Sequence, residues 1–121
     1  MFINESLLSF LWQHAIFDQD QLMTTAGHSL RISSTGQLNR HAGPDFLEAR
    51  IRIDGLFWAG AVEIHVRASE WYDHDHQHNP DYDRVTLHVV WEDDVLVSRQ
   101  DGSLIPALVL KDRVSPLLIR K

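Results

Sequence analysis

Leu47-Glu48-Ala49-Arg50-Ile51-Arg52-Ile53-Asp54-Gly55-Leu56-Phe57-Trp58-Ala59-Gly60-Ala61-Val62-Glu63-Ile64-His65-Val66-Arg67 is the stretch that decides the fold. Its first half alternates: Leu47, Ala49, Ile51 and Ile53 face one way, Glu48, Arg50 and Arg52 the other. A period of two is the mark of a half-buried strand. Asp54-Gly55 follows, a pair suited to the two left-handed positions of a tight hairpin turn. From Phe57 to Arg67 the alternation resumes, with Trp58, Gly60, Val62, Ile64 and Val66 on one face and Glu63, His65 and Arg67 opposite. The reading is a central β-hairpin.

Working outward, residues 5–17 read as a helix. Asn4 is suited to the N-cap, Glu5 to the first turn, and Leu7, Leu8, Leu11, Trp12 and Ala15 form one apolar stripe. Residues 18–27 connect, 28–32 form a short strand, and the polar, turn-rich 33–43 form a loop. Beyond the hairpin, 69–80 is rich in Asp and His and reads as a short helix or ordered loop closed by Pro80. Three further strands are expected at 85–91, 95–99 and 104–110, the last two joined by Gln100-Asp101-Gly102. The predicted order is α-β-β-β-α-β-β-β, an α+β fold with a mixed sheet.

The chain has 121 residues, which suits one domain over 1–121. Hydrophobic residues at 44% and charged residues at 23% place it among globular chains. The absence of cysteine excludes disulfides, Cys-bound zinc and a Cys nucleophile, and agrees with a reducing, cytoplasmic setting. Asn4 and Glu5 stand where a secretory leader needs basic residues, and no apolar run is long enough to cross a membrane, so no membrane partner is expected. The formal charge of -6 argues against the chain alone gripping nucleic acid. Basic residues gather only at Arg50, Arg52 and Arg67 and at Lys111, Arg113, Arg120 and Lys121. The charged end Leu118-Ile119-Arg120-Lys121 suggests an N-terminal piece of a longer chain.

Chemistry concentrates at Asp45, Glu63 and His65. Pro44-Asp45 opens the first hairpin strand, and the two-residue spacing puts Glu63 and His65 on one face of the second. Two carboxylates on neighbouring strands can hold a hard divalent ion, Mg²⁺ or Mn²⁺. Such an ion polarises a phosphate and acidifies a bound water. Strand parity opposes this grouping. An Asp54-Gly55 turn pairs Ile53 with Leu56 and hence Phe46 with Glu63, sending Asp45 to the opposite face. Only a bulge or an irregular strand start brings Asp45 back. Otherwise Asp45 is a strand-end residue and Glu63 and His65 an exposed pair.

His74, His76 and His78 alternate within Tyr72-Asp73-His74-Asp75-His76-Gln77-His78-Asn79-Pro80-Asp81. Imidazole and carboxylate can ligate a transition metal, but the spacing matches no standard zinc signature, and a solvated loop is the plainer reading. The sharper one brings one of these histidines, His74 first, to Asp45 and Glu63. His88, within an apolar strand, reads as a packed, hydrogen-bonded histidine. Trp12, Trp58, Trp71 and Trp91 read as packing residues. There is no Gly-rich phosphate loop, nucleophile elbow or HExxH motif.

Pro44-Asp45 followed by Glu63-Ile64-His65 resembles the PD-(D/E)xK nuclease superfamily, in which Pro-Asp precedes a hairpin turn and then an acid, any residue and lysine. The resemblance implies the order α-β-β-β-α-β, a site of Asp45, Glu63 and His65, and a supporting helix-one glutamate, here Glu5. His65 replaces lysine, so a fixed positive charge is lost at neutral pH. A second resemblance is more specific. His41-Ala42-Gly43-Pro44-Asp45-Phe46, Trp58 to Arg67, then Trp71, His74, His76, Asp81, Tyr82 and Val85 to Val90 look like a bacterial family, domain of unknown function 2851. Leu11-Trp12 with Phe17 matches its opening, and His41 departs from the aspartate expected there. Members are longer, which implies an N-terminal domain. The family name carries no activity.

The leading expectation is thus a PD-(D/E)xK-like metal-binding domain, either a nuclease-like hydrolase of phosphodiesters or a degenerate relative that still binds metal. Asp45 and Glu63 hold Mg²⁺ or Mn²⁺, Glu5 assists directly or through water, His74 is a further ligand, His65 takes lysine's role, and the expected partner is nucleic acid. The alternative is a non-catalytic module docking onto the rest of a longer chain or a second copy as a homodimer. A third reading, Glu63 and His65 as acid and base on a small molecule or sugar, has no substrate signal.

Overall fold

The computed structural model of the chain describes residues 3–119; the basic pair Arg120 and Lys121 lies outside the described residues. The elements are α1 (Glu5–Gln13), β1 (Leu30–Ser34), β2 (Gln37–Leu38), β3 (Phe46–Ile53), β4 (Leu56–Arg67), α2 (Glu70–Asp73), β5 (Val85–Glu92), β6 (Ala107–Val109) and α3 (Pro116–Ile119). Short 3₁₀ turns cover His76–His78, Pro80–Arg84 and Lys111–Arg113.

The strands form one six-stranded sheet in the order β1-β3-β4-β5-β6, with β2 also paired to β3. Pairing is antiparallel from β1 to β4 and parallel from β4 to β6. The fold is α+β with a mixed sheet around the β3–β4 hairpin. Asp54 and Gly55 take φ of 49° and 83°, and Ile53 pairs with Leu56, as the Asp-Gly turn requires.

Asn4 caps α1: its Oδ1 accepts the Leu7 N–H at 2.8 Å. The helix stops at Gln13 rather than running to 17, and Ala15 then takes a left-handed φ of 53°. Leu8, Leu11 and Trp12 bury against Phe46, Ile51, Val62, Ile64, Leu87 and Val89, the main core on one face of the sheet. A smaller cluster of Ala61, Trp71, Tyr82, Val85 and Val90 covers the other face, roofed by residues from 68 to 84. That second face carries the site.

Three local expectations are corrected. The loop at 33–43 contains β2, reached through Gly36 at φ +91°, where a Cβ would stand 2.7 Å from the Leu47 carbonyl oxygen. Residues 95–99 form no strand: a lone bridge, Ser98 to Leu104, is all that remains of the last hairpin. β6 is also shorter than 104–110 and joins β5 in parallel. The observed order is therefore α-β-β-β-β-α-β-β, followed by α3.

The register of the central hairpin also departs from a regular ladder. Ala49 pairs with Gly60, but Phe46 pairs with Val62 rather than Glu63. The shift between them is a bulge at Leu47–Glu48, with Glu48 at φ 60°. Leu47 consequently leaves the face of Ala49 and Ile51 and packs with the second cluster, while Phe46 enters the main core. At the far side of β4, a Cβ on Gly60 would lie 2.5 Å from Thr86 Cγ2 and 2.7 Å from the Arg84 carbonyl oxygen. Only glycine lets β4 and the start of β5 approach this closely.

Candidate metal centre

The bulge settles the parity problem. With Phe46 opposite Val62, Asp45 comes opposite Glu63 and on its face. The Asp45 N–H donates to Glu63 Oε1 at 3.1 Å, and the Ile64 N–H donates to Asp45 Oδ2 at 2.8 Å. Two carboxylates are thus tied side by side across β3 and β4.

Glu63 and His65 project from β4 into the second face and are buried, not an exposed pair. The parallel β4–β5 ladder sets Glu63 beside His88, which is fully buried on the same face. The connection from β4 to β5 supplies the rest. α2 carries Glu70, His74 follows at its C-terminus, and Asp75 turns the chain at φ 59° so that His76 points inward. Tyr82 stacks on His76 with ring centroids 3.7 Å apart and 14° between planes. Trp71 stands edge-on to His76 and His88, each at 5.3 Å.

Glu63 Oε2 lies 2.8 Å from His76 Nε2 and 3.4 Å from His65 Nε2. His65 Nε2 is also 3.3 Å from His74 Nδ1, and His65 Nδ1 is 2.8 Å from His88 Nε2. His76 Nε2, although close to Glu63, is buried and makes no aligned hydrogen bond among the described residues. One nitrogen each of His65, His74 and His76 lie within 4.8 Å of one another, and so do one ligand atom each of Glu5, His65 and Glu70. Donors on a single tetrahedral ion at about 2.0–2.2 Å stand ~3.3–3.6 Å apart, so either group could close on an ion by side-chain adjustment.

Electrostatics set the protonation states. Burial, then the charge of Asp45, pushes the Glu63 carboxyl up to about 10. Burial pushes His65 down to about 2, His88 to about 3 and His76 to about 4. Glu5 is raised by burial and then by Asp45 and Glu70. Among the described residues, the ion-pair partners of Glu63 are histidines, and these are neutral at neutral pH. Among the described residues, acid side chains crowd together with no fixed cation among them, and neutral imidazoles hold open lone pairs beside them. That donor set fits a divalent ion.

Of the expected site residues, Asp45, Glu63, His65, His74 and Glu5 converge here, with Glu5 and His74 exposed at the mouth. His78 does not; it is exposed and pairs with Asp75 at 2.7 Å. His88, Glu70 and Tyr82 were not singled out from sequence as ligands or site walls, and His76 only as one member of the histidine tract, behind His74. His76 had a signal, the alternating histidine tract. His88 had none beyond being polar in an apolar strand, because its place depends on the parallel pairing.

Fold and cluster together define an α+β domain with a partly buried group of histidine and glutamate side chains that could hold a metal ion. The chain belongs to the family described as protein of unknown function (DUF2851), whose model matches residues 5–121. No curated protein and no solved structure matches the chain. Among the described residues no helix is long and apolar enough to cross a membrane.

Proposed function

We infer that this domain binds a divalent metal ion and, in the manner of PD-(D/E)xK enzymes, hydrolyses a phosphodiester. The observation that carries the metal reading is the convergence of Glu63 Oε2 with the ring nitrogens of His65 and His76 in a buried cluster, where His76 Nε2 has no aligned partner among the described residues. Glu63, His65, His74 and His76 are the ligands, and Asp45 reaches the same centre from the Glu63 Oε1 side. Of Mg²⁺ and Mn²⁺, the two ions expected from the carboxylates, Mn²⁺ better suits a set that includes imidazole.

Such an ion, when bound, polarises a phosphoryl oxygen and acidifies a water. The chain's own residues do the rest. Asp45, and Glu63 once it gives up its proton to the solvent on metal binding, would bring negative charge to the ion and orient what it holds. Glu5, at the mouth, is placed to accept a proton from an incoming water. His65 serves as a neutral ligand and not as a substitute for lysine, because burial keeps it uncharged.

Isothermal titration with Mn²⁺ is the test. Wild type should bind in the micromolar range, Glu63→Gln and His76→Ala should lose at least tenfold, and Asp45→Ala should keep the fold while losing metal-dependent cleavage of a phosphodiester. Full cleavage by Asp45→Ala rejects the hydrolase; a wild type silent towards Mn²⁺ and Mg²⁺ rejects the metal.

One observation favours a second reading, a docking module. Leu56, Phe57 and Trp58 at the hairpin tip and Leu96 and Leu104 beyond β5 are all largely exposed. If the titration is silent and the chain self-associates through these residues, the interaction reading takes over.

A further inference from the structure

The metal reading leaves one member of the cluster without a task. His88 is fully buried in β5, opposite Glu63 in the β4–β5 ladder. Trp71 closes it off edge-on at 5.3 Å. Its Nε2 lies 2.8 Å from His65 Nδ1, and its own Nδ1 has no partner among the described residues. A buried imidazole left half-satisfied is costly, so its position calls for an explanation.

The explanation comes from His65. Its two nitrogens face different neighbours: Nδ1 meets His88, while Nε2 meets His74 Nδ1 at 3.3 Å and Glu63 Oε2 at 3.4 Å. A histidine that ligates through Nε2 needs a free lone pair there and keeps its remaining proton on Nδ1. That proton requires an acceptor. In this fold the nitrogen within reach is His88 Nε2, whose own proton then sits on Nδ1. If His88 donated instead, the His65 proton would move to Nε2 and close the ligand position. The direction of a single hydrogen bond therefore decides whether His65 can bind an ion at all.

We propose that His88 is a positioning residue that accepts the His65 Nδ1–H through Nε2, holding His65 in the tautomer whose Nε2 lone pair faces the metal. This rests on the metal reading above. The partner in this role is usually a carboxylate or a backbone carbonyl. An imidazole performs it here without adding charge to a site already crowded with acids.

Two measurements test it. In nitrogen-15 NMR of the metal-free wild type, His65 should carry its proton on Nδ1; a proton on Nε2 overturns the proposal. In titrations with Mn²⁺, His88→Leu, which keeps bulk and removes the acceptor, should weaken binding about 10–100-fold. His88→Gln, whose side-chain oxygen can accept the same N–H, should recover most of it. A merely structural His88 would shift the melting temperature in both variants and leave Mn²⁺ affinity equal to wild type, which would overturn the proposal. If His88→Leu does not fold, the wild-type tautomer decides by itself. A wild type that binds no Mn²⁺ removes the metal reading, and this inference with it, whereas normal wild-type binding with an indifferent His88→Leu removes this inference alone.

Discussion

Glu63 stands between two unlike neighbours, Asp45 on the Oε1 side and His76 with His65 on the Oε2 side. In the metal-free fold it is a burdened residue. Its carboxyl is held near 10 against an ordinary 4.5, so at neutral pH folding requires it to take up a proton that the unfolded chain lacks. Glu63→Gln mimics the protonated form and removes that burden. Metal-free Glu63→Gln should therefore be more stable than wild type at about pH 8, by roughly 1–3 kcal/mol, as read from urea denaturation. The same variant should bind Mn²⁺ worse, so stability and metal affinity should move in opposite directions. A Glu63→Gln protein less stable than wild type at that pH would show that Glu63 is paired and charged in the fold.

At the scale of elements, the bulge in β3 is the device that makes the site. Without the extra residue at Leu47–Glu48, Asp45 would face away from Glu63. Glu48 holds a left-handed φ of 60°, a conformation that costs a side-chain-bearing residue roughly 1–2 kcal/mol. Glu48→Gly should be as stable as wild type or up to about 1 kcal/mol more so. Glu48→Val, β-branched and exposed, should lose about 1–3 kcal/mol in urea denaturation. If the Glu48→Val substitution proves neutral, the bulge is not under backbone strain. The Asp-Gly turn was legible from sequence because its chemistry is local. The bulge was not, because nothing in Leu47-Glu48 marks an extra residue until both strands and their faces are set. β2 escaped notice for a related reason: two polar-flanked residues have no period to read.

For the whole molecule, the buried histidines and Glu63 impose opposite pH trends on the metal-free protein. His65, His76 and His88 fold with values of about 2, 4 and 3 against an ordinary 6.5, so below pH 6.5 the unfolded chain takes up protons that the fold refuses. Their stabilising contribution is complete above 6.5 and is lost as pH falls. Glu63 runs the other way: between 4.5 and 10 the fold retains a proton the unfolded chain has released, so stability falls as pH rises. Between about pH 4.5 and 6.5 three histidines outweigh one carboxyl, so stability should fall on acidification, by no more than roughly 3 kcal/mol per pH unit. Above 6.5 Glu63 dominates this group, and stability should fall on alkalinisation by no more than roughly 1 kcal/mol per pH unit. Urea midpoints should peak near pH 6.5 and fall more steeply on the acid side; a flat acid limb would mean that the histidines are not held neutral.

The sequence by itself determined the pieces whose physics is local: a capped amphipathic first helix, a two-period hairpin closed by Asp-Gly, and the residue types from which a metal site can be built. Tertiary structure decided how those pieces meet. A bulge swung Asp45 to Glu63, a parallel β4–β5 pairing laid His88 beside them, and an irregular crossover buried His76 and brought the exposed His74 to His65 while leaving His78 in solvent. Faces and turns follow from the backbone periodicity of a few adjacent residues. Register between distant strands follows from which side chains a whole core can bury, and no short stretch of chain carries that information.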